Sequence, residues 1–406
     1  MPEVKPADIQ TFATIKVVGV GGAGGAAINR MADAGLNGVQ FIAVNTDAQA
    51  LHNSAANVKI HIGRETTRGL GAGADPAVGQ KAAEETKDEI KKAVEGADLL
   101  FITLGAGGGT GSGAGHIVAE IARELGILTV GVVTKPFSFE GEKRRQNADW
   151  AITKLGQQVD TLITIPNDRL LQTIDRRTPL LETFKIADDV LRQGVQGISE
   201  LITEHGLINL DFADVKTIMQ NAGSALMGIG RASGENRAVQ AAQQAIESPL
   251  LEVSIDGARG VLFNITGGYD MSMHEINEAA EVITNAVAPD ANIIFGATLK
   301  PELEDELIIT VIATGFDSAY FREKAGQIAA AEQSAPAATP APATDDATQA
   351  VQDDDIKKID MDLDKDDKEK ASADFTKKEE EPKRNIWHYD DEADTPAFLR
   401  RRKKDD

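Results

Sequence analysis

The sequence feature that most constrains the fold is a nine-residue segment at positions 105–113, in which six residues are glycine. It follows an apolar run at 99–104 that is typical of a buried strand, and it precedes a helical pattern at 114–125. A loop that opens a helix presents unpaired backbone N–H groups and the positive end of the helix dipole. Because glycine lets the backbone approach an anion closely, this segment predicts a phosphate site rather than a flexible linker.

The first half of the chain repeats this order of strand, small-residue loop and helix. Strands alternating with helices form a mostly parallel sheet, which gathers its loops at one edge. Two further small-residue loops lie at 19–25 and 70–76. No lysine follows the central loop, so it is not the GxxxxGK[ST] loop of ordinary NTPases. Three such loops indicate a nucleotide whose whole phosphate chain is wrapped by backbone. The other strands are expected at 15–20, 39–44, 128–134 and 161–165.

A nicotinamide-dependent oxidoreductase is an alternative interpretation of the first loop. Gly19, Gly21 and Gly24 match the GxGxxG dinucleotide fingerprint. Asp47 follows the second strand at the place where a dehydrogenase would bind a ribose. That fold needs only one glycine loop, so the other two count against it. Such an enzyme would also need a catalytic acid or base in the second half of the chain.

A long helix divides the first half from the second. Thr178 suits an N-cap and Pro179 the first helical position, and apolar residues then recur every three or four positions toward Gly206. A helix of about 25 residues is about 37 Å long, which suits a spine between two domains. Its amino end is expected near the nucleotide loops. The residues after it combine helices with strands at 261–266, 292–299 and 307–314, without a glycine cradle.

The predicted architecture is therefore an α/β protein with a second, smaller α+β domain. A parallel-sheet nucleotide-binding domain occupies 1–178, the central helix 179–206 and the α+β domain 207–316. Residues 317–385 are rich in Ala, Pro, Asp, Glu and Lys, which predicts a disordered acidic linker. Residues 386–406 combine apolar residues with arginines, which is typical of a peptide that folds onto a partner. An inert solubilising tail is the alternative.

Composition limits the partners and the compartment. The chain has 42 basic and 64 acidic residues and a net charge of −22, so nucleic acid is not an expected partner. It has no cysteine, and its six histidines are scattered, so no metal site built by the protein alone is expected. It contains neither an apolar span of membrane length nor a signal peptide. We therefore expect a cytoplasmic protein that does not insert into the membrane.

The segment 107–113, GGGTGSG, resembles the signature GGGTG[ST]G of the tubulin and FtsZ superfamily, and the resemblance covers about 15–315. The bacterial FtsZ family is the most similar branch. The resemblance implies a GTPase that binds GTP and GDP and assembles head to tail into protofilaments of the division ring, at the inner face of the membrane. It also implies that the peptide 394–402 binds membrane-tethering and regulatory division proteins. Further motifs that carry it are NTD at 45–47, GLGAGA at 69–74, FEG at 139–141, IPND at 165–168 and NLDFAD at 209–214.

The same resemblance implies a role for each residue of the nucleotide site. Glu140 and Arg144 would reach the ribose. Phe184 would stack on the base, with Asn167 and Asp188 at its edge. From spacing alone, Phe184 also fits a buried helix stripe and Asp188 a solvated helix charge. The phosphates would be held by Gly21, Gly22, Ala72, Gly73, Ala74, Gly105, Gly107, Gly108, Gly109, Thr110 and Gly111.

Two carboxylates, Asp211 and Asp214, lie three residues apart at the start of a predicted helix. Such a pair can polarise a water molecule or sit near Mg²⁺, but it also suits capping of the helix. The resemblance implies that this loop, with Asn209, completes the hydrolytic site of the next subunit. A filament protein that does not hydrolyse GTP is the alternative. The sequence leaves open whether K⁺ joins Mg²⁺ there.

Several positions depart from the usual family pattern, among them Ser112 and the pair Gly115-His116 in and after the signature loop. Ala26 and Asp75 each replace a usual asparagine, and Thr395 replaces a usual isoleucine in the terminal peptide. In the family the residue at the position of Ala26 helps to contact the base, and Thr395 lies in the peptide that would bind the membrane-tethering and regulatory proteins.

Overall fold

The structure is a computed structural model that describes residues 13–171, 177–203, 206–208, 210–248, 251 and 254–316. All of them belong to the first of two units, 1–335 and 336–406, into which the chain divides. Three predictions lie outside the described residues: the acidic linker at 317–385, the peptide at 386–406 and the candidate residue Asn209.

The first half of the chain forms the predicted parallel sheet. Its strands are β1 (Ile15–Val20), β2 (Val39–Asn45), β3 (Val58–His61), β4 (Leu99–Gly105), β5 (Leu128–Lys135) and β6 (Thr161–Pro166). They pair in parallel in the order β3-β2-β1-β4-β5-β6. Every residue of β1 is buried. Central strands of a parallel sheet are covered on both faces, which is why β1 and β4 are apolar runs rather than alternating ones.

Helices cover both faces of this sheet. Val17 and Phe101 belong to one buried apolar cluster, whereas their neighbours Val18 and Leu100 belong to a second. Successive strand side chains point to opposite faces, so the two clusters lie on opposite sides of the sheet. The helices are α1 (Gly21–Asp33), α2 (Ala48–His52), α3 (Arg64–Thr67), α4 (Pro76–Glu85), α5 (Lys87–Val94), α6 (Thr110–Glu124), α7 (Glu142–Gly156) and α8 (Asn167–Leu170), with a 3-10 turn at Ser138–Glu140.

The long central helix is α9 (Leu180–Thr203), and its 24 residues give a length of about 36 Å. Its buried residues Val195 and Ile198 belong to the same cluster as Val17 of the first half. Leu262 and Ile312, from the second half, complete that cluster. The helix therefore packs against both halves of the chain, as the sequence predicts.

The second half extends the same sheet. Its elements are α10 (Phe212–Met219), β7 (Gly223–Ser233), α11 (Arg237–Ile246), β8 (Gly260–Gly267), α12 (Met273–Asn285), β9 (Asn292–Leu299) and β10 (Glu306–Thr314). β7 pairs with β6 in parallel and with β10 antiparallel. β10 pairs antiparallel with β8, which pairs in parallel with β9. The described residues thus form one sheet of ten strands that joins a parallel α/β half to an α+β half.

The sequence pattern missed β7. Gly228 and Gly230 interrupt its apolar alternation because α11 packs directly on the strand backbone. A Cβ atom on Gly228 would lie 1.9 Å from the carbonyl oxygen of Ala245, and one on Gly230 would lie 1.9 Å from that of Ala241. Glycine inside a strand often marks such a close approach, and it weakens the signal of a strand in the sequence.

Candidate functional site

A cavity of about 290 Å³ opens at the carboxyl ends of β1, β4, β5 and β6. This is the edge at which a parallel sheet collects its loops and binds ligands. The amino-terminal part of α9 forms one wall of the cavity through Phe184, Ala187 and Asp188. The other lining residues are Val20, Gly22, Ala23, Gly105, Ala106, Gly108, Gly109, Thr110, Gly111, Thr134, Pro136, Glu140, Arg144 and Asn167.

The cavity gathers most of the nucleotide-site residues proposed from the sequence. It does not include Gly21, Ala72, Gly73, Ala74 or Gly107 among its lining. A Cβ atom on Gly21 would nevertheless lie only 2.9 Å from the backbone nitrogen of Gly111, and Gly107 directly precedes Gly108. Ala72 is equally close to Gly109, because a Cβ atom added to Gly109 would lie 2.9 Å from the Cβ atom of Ala72. The first and second small-residue loops therefore both contact the third.

One end of the cavity suits an anion. Helix α6 begins at Thr110 with Gly109 as its N-cap, and no side chain caps this terminus. The first N–H groups of a helix lack intrahelical partners, and the helix dipole is positive there. A Cβ on Gly109 would lie 2.8 Å from the backbone nitrogen of Asp75, so only glycine fits between the two loops. The hydroxyl groups of Thr46 and Thr110 are 2.6 Å apart, which ties the loop after β2 to this terminus.

The other end of the cavity presents an aromatic ring and two hydrogen-bond acceptors. Phe184 packs edge-on against Phe137, with ring centroids 5.5 Å apart. Burial raises the pKa of Asp188 to about 6, while the positive charge of Arg30 acts in the opposite direction. Asn167 is buried, and within the described chain its Oδ1 atom has no hydrogen-bond partner. A buried acceptor without a partner indicates a ligand donor, so this end suits a flat ring with N–H groups on its edge.

An ion pair also lines the cavity. Arg144 donates to Glu140 through Nη1 and Oε2, which are 2.5 Å apart. The other carboxylate oxygen of Glu140 accepts from the backbone N–H of Phe137 at 2.9 Å. Glu140 thus accepts a hydrogen bond on each carboxylate oxygen, and its charge is paired with Arg144.

Two acidic residues near the loops are helix caps. Asp47 accepts hydrogen bonds from the backbone N–H groups of Gln49 and Ala50, and Asp75 accepts one from Ala77. Neither side chain lines the cavity. Asp47 therefore does not hold the position at which a dehydrogenase would bind a ribose.

Asp211 and Asp214 lie far from the cavity within one chain. Asp211 is the N-cap of α10, and its Oδ1 accepts from the backbone N–H of Asp214 at 2.9 Å. Asp188 is the last residue of α9 that lines the cavity, and the helix continues for about 22 Å beyond it before the chain leads to Asp211. The chain's own acidic pair thus caps a helix and does not reach its own cavity.

Comparison with known proteins identifies the fold. The family model described as "Tubulin/FtsZ family, GTPase domain" matches residues 14–175, and the model described as "FtsZ family, C-terminal domain" matches residues 223–317. An empty FtsZ dimer from M. jannaschii is 46% identical, with a TM-score of 0.73 over 76% of this chain and 89% of that chain. The chain belongs to the FtsZ family. As a member of the tubulin/FtsZ GTPases, it is a GTPase that binds GTP and GDP.

Two further solved structures agree with this assignment. A tryptophan-to-tyrosine mutant of M. jannaschii FtsZ is 47% identical, with a TM-score of 0.73 over 76% of this chain and 92% of that chain. CetZ2 from Haloferax volcanii, in a GTPγS-bound protofilament, is 20% identical, with a TM-score of 0.65 over 79% of this chain and 99% of that chain. The second likeness concerns the fold alone. Family membership excludes the oxidoreductase alternative.

Among the residues that the structure describes, no three His, Cys, Asp or Glu side chains are grouped closely enough to hold a metal ion. In the same residues no helix is long and apolar enough to cross a membrane.

Sequence reasoning missed two residues that bear on the FtsZ-family cavity. Thr46 stands out in the sequence only as part of a motif, although its hydroxyl contacts Thr110. Asn147 lies on the polar helix α7, yet it is buried and its amide reaches two of the glycine loops. Nothing in the sequence marks it, because a single asparagine in a charged helix is ordinarily exposed.

Proposed function

We propose that this FtsZ-family chain polymerises head to tail, and that Asp211 and Asp214 of one subunit complete the GTP-hydrolysing site of the next. The observation that carries the proposal is the lack of a free base among the described residues that line the cavity. Its lining carboxylates are Glu140, which is engaged by Arg144, and Asp188, at the end remote from α6. A second copy would supply the missing carboxylates. The resemblance assigns Asn209 to the same loop.

Exposed apolar side chains support such an assembly. Leu70, Phe139 and Leu181 lie in the segments around the cavity and are 86%, 61% and 70% exposed. Leu207, four residues before Asp211, is 64% exposed at the other end of α9. Exposed apolar residues at two different places on the chain fit a heterologous contact, which repeats into a filament rather than closing as a dimer.

Within the cavity we assign the phosphates to the end formed by the three small-residue loops. The positive terminus of α6 and the N–H groups of the loops favour this assignment. Glu140 and Arg144 lie along the ribose. Phe184 stacks on guanine, whose N1–H and 2-amino groups donate to Asn167 and Asp188. The phosphate residues are Gly21, Gly22, Ala72, Gly73, Ala74, Gly105, Gly107, Gly108, Gly109, Thr110 and Gly111.

Mg²⁺ is proposed to enter with the nucleotide. The lining offers hydroxyl and carbonyl oxygens, and the described residues group no carboxylates there, which fits an ion held mainly by phosphate oxygens and water. The Thr110 hydroxyl is the nearest such donor on α6, and the neighbour's acidic pair would approach from outside. The ion would neutralise charge on the phosphates during hydrolysis. GTP turnover measured with and without K⁺ tests whether K⁺ joins Mg²⁺ at the site.

The cellular role follows from the family and from the tail. We propose a cytoplasmic protein whose protofilaments form the division ring at the inner face of the membrane. The peptide 394–402, outside the described residues, would bind membrane-tethering and regulatory proteins, with the acidic linker as a spacer. The solved relatives described above are archaeal, so ring localisation in the organism of origin is the direct test.

Phosphate release from GTP, measured against protein concentration, tests the shared site. Release is expected to rise more steeply than linearly, because a monomer lacks half of the site. Asp211→Asn is a more specific test than Asp211→Ala, because asparagine keeps the helix cap and removes only the charge. It should bind GTP normally and release no phosphate.

Asp149→Asn is the matched control, because Asp149 is an exposed carboxylate on α7. Its turnover should equal that of the wild type. Full turnover by Asp211→Asn, or by a strictly monomeric preparation, would refute the shared site. Assembly by the wild type without any phosphate release would instead favour a filament protein that does not hydrolyse GTP.

A further inference from the structure

The side chain of Asn147 connects two of the small-residue loops and is not part of the cavity lining. Its side chain lies on α7 and is only 7% exposed. The amide nitrogen Nδ2 donates to the carbonyl oxygen of Ala74 at 3.1 Å and to that of Gly107 at 3.5 Å. Ala74 belongs to the second small-residue loop and Gly107 to the third. One buried amide therefore holds a carbonyl from each loop.

Both carbonyls belong to residues with unusual backbone conformations. Ala74 has φ +60°, which is strained for a residue with a Cβ, and Gly107 has φ +103°. The N–H of Gly107, in the preceding peptide unit, donates to Ser112 Oγ at 2.9 Å, so Gly107 is held on both sides. Such conformations persist only where surrounding contacts hold them, and Asn147 supplies one contact to each.

The direction of these carbonyls matters for an anion. In a trans peptide the C=O and the following N–H point in opposite directions. A Gly107 carbonyl held toward Asn147 turns the N–H of Gly108 the other way, and Gly108 lines the cavity. If the carbonyl turned inward, its partial negative charge would face the phosphate.

We propose that Asn147 is a positioning residue for the phosphate chain of the nucleotide. It holds the carbonyl oxygen of Gly107 away from the cavity, so that the N–H of Gly108 faces the phosphates, and through Ala74 it fixes the neighbouring loop to the same helix. The proposal rests on the assignment of the glycine loops to the phosphates. It differs from a purely structural role because it predicts a loss confined to the phosphate-bearing ligands.

The test compares GDP with guanosine, which carries no phosphate, by calorimetric titration of the full chain. Asn147→Asp keeps the shape of the side chain and replaces the donor with an acceptor that faces two carbonyl oxygens. The affinity for GDP should fall roughly tenfold or more. The affinity for guanosine should stay within about twofold, because the base and ribose contacts are untouched.

The pH profile separates positioning from packing. Once protonated, the carboxyl group introduced by Asn147→Asp would regain an O–H donor. The GDP affinity of this variant relative to wild type should therefore recover from pH 8 toward pH 5. Asn147→Ala has no donor at any pH and should not recover. Equal losses for GDP and guanosine, or an Asn147→Asp affinity for GDP equal to that of the wild type, would overturn the proposal.

Two further variants show which assumption has failed. Gln146→Glu makes the same chemical change on an exposed neighbour of α7 and should bind both ligands normally. Gly108→Val adds a side chain whose Cβ would meet no protein atom within 4 Å and which projects from a residue lining the cavity, so it should weaken GDP binding. Normal GDP binding by Gly108→Val would refute the phosphate assignment itself. Weak binding by Gly108→Val, with normal binding by Asn147→Asp, would refute only the role of Asn147.

Discussion

Replacing Asp188 by asparagine should stabilise the nucleotide-free protein and weaken GTP binding at the same time. Burial raises the pKa of Asp188 from 3.8 to about 6, although Arg30 opposes this shift. The folded protein therefore disfavours the ionised carboxyl group, which it nevertheless carries at pH 8. Asparagine keeps the shape and removes the charge, so the variant lacks this penalty.

The magnitude follows from the size of the pKa shift. One unit is worth about 1.36 kcal/mol, and partial exposure of the side chain reduces the total to about 1–2 kcal/mol. Between about pH 4 and 6 the Asp188 carboxyl group binds more protons in the folded protein than in the unfolded chain, so its contribution to stability falls as pH rises through this window. The advantage of Asp188→Asn should thus be largest at pH 8 and smaller at pH 5. At pH 8 the melting temperature should rise by about 2–8 °C.

Binding should change in the opposite direction. An ionised carboxylate accepts from both the N1–H and the 2-amino group of guanine, whereas an amide accepts from one and opposes the other. The affinity for GTP should fall about 10- to 100-fold. Inosine triphosphate lacks the 2-amino group, so the preference for GTP over this analogue should shrink in the variant. Thermal unfolding without nucleotide and competition binding measure the two effects.

Asp189 provides the matched control on the same helix. Burial alone would raise the pKa of Asp189, but hydrogen bonds from Arg192 and Gln193 outweigh it and leave the pKa below its usual value. Asp189→Asn should therefore lower stability and leave the preference for GTP unchanged. A change of stability in Asp188→Asn that is equal at pH 5 and pH 8, or an unchanged preference for GTP, would refute the reasoning.

Gly228→Ala should lower the free energy of unfolding in urea by about 2–4 kcal/mol, because the new Cβ would lie 1.9 Å from the carbonyl oxygen of Ala245. Arg237→Met should cost about 2–3 kcal/mol in the same assay, since it leaves Asp270 and Glu275 without the guanidinium that each contacts at 2.6 Å. Thr46→Val should lower GTP affinity about three- to tenfold in competition binding, because it removes the hydroxyl contact to Thr110. Wild-type values would contradict each prediction.

Local pattern was enough to predict much of this fold. The segment at 105–113 lies between a buried strand and a helix, and each of these signals is contained in a few consecutive residues. The parallel sheet, the central helix and the α+β half followed from such signals. β7 could not be predicted in this way. Gly228 and Gly230 are required by the close approach of the α11 backbone, and they interrupt the apolar alternation of a strand.

The candidate site divides in the same way. Its glycine loops are contiguous motifs and can be recognised in the sequence. The roles of Asn147 and of the unpartnered oxygen of Asn167 cannot be recognised in the sequence, because they depend on which atoms the fold places around these side chains. The helix cap formed by Asp211 was one of two interpretations that the sequence allowed, and the structure of one chain shows the cap.

The sequence by itself determined most of the order of elements, the glycine loops and the family, because each is contained in neighbouring residues. The family resemblance assigned Arg144, Asn167 and Asp188 to one site, but only the tertiary structure shows how α7, α8 and α9 bring them to one cavity. It also decided that α9 would separate this cavity from the acidic pair of the same chain. Contacts between residues far apart in sequence arise from packing, and packing has no local signature.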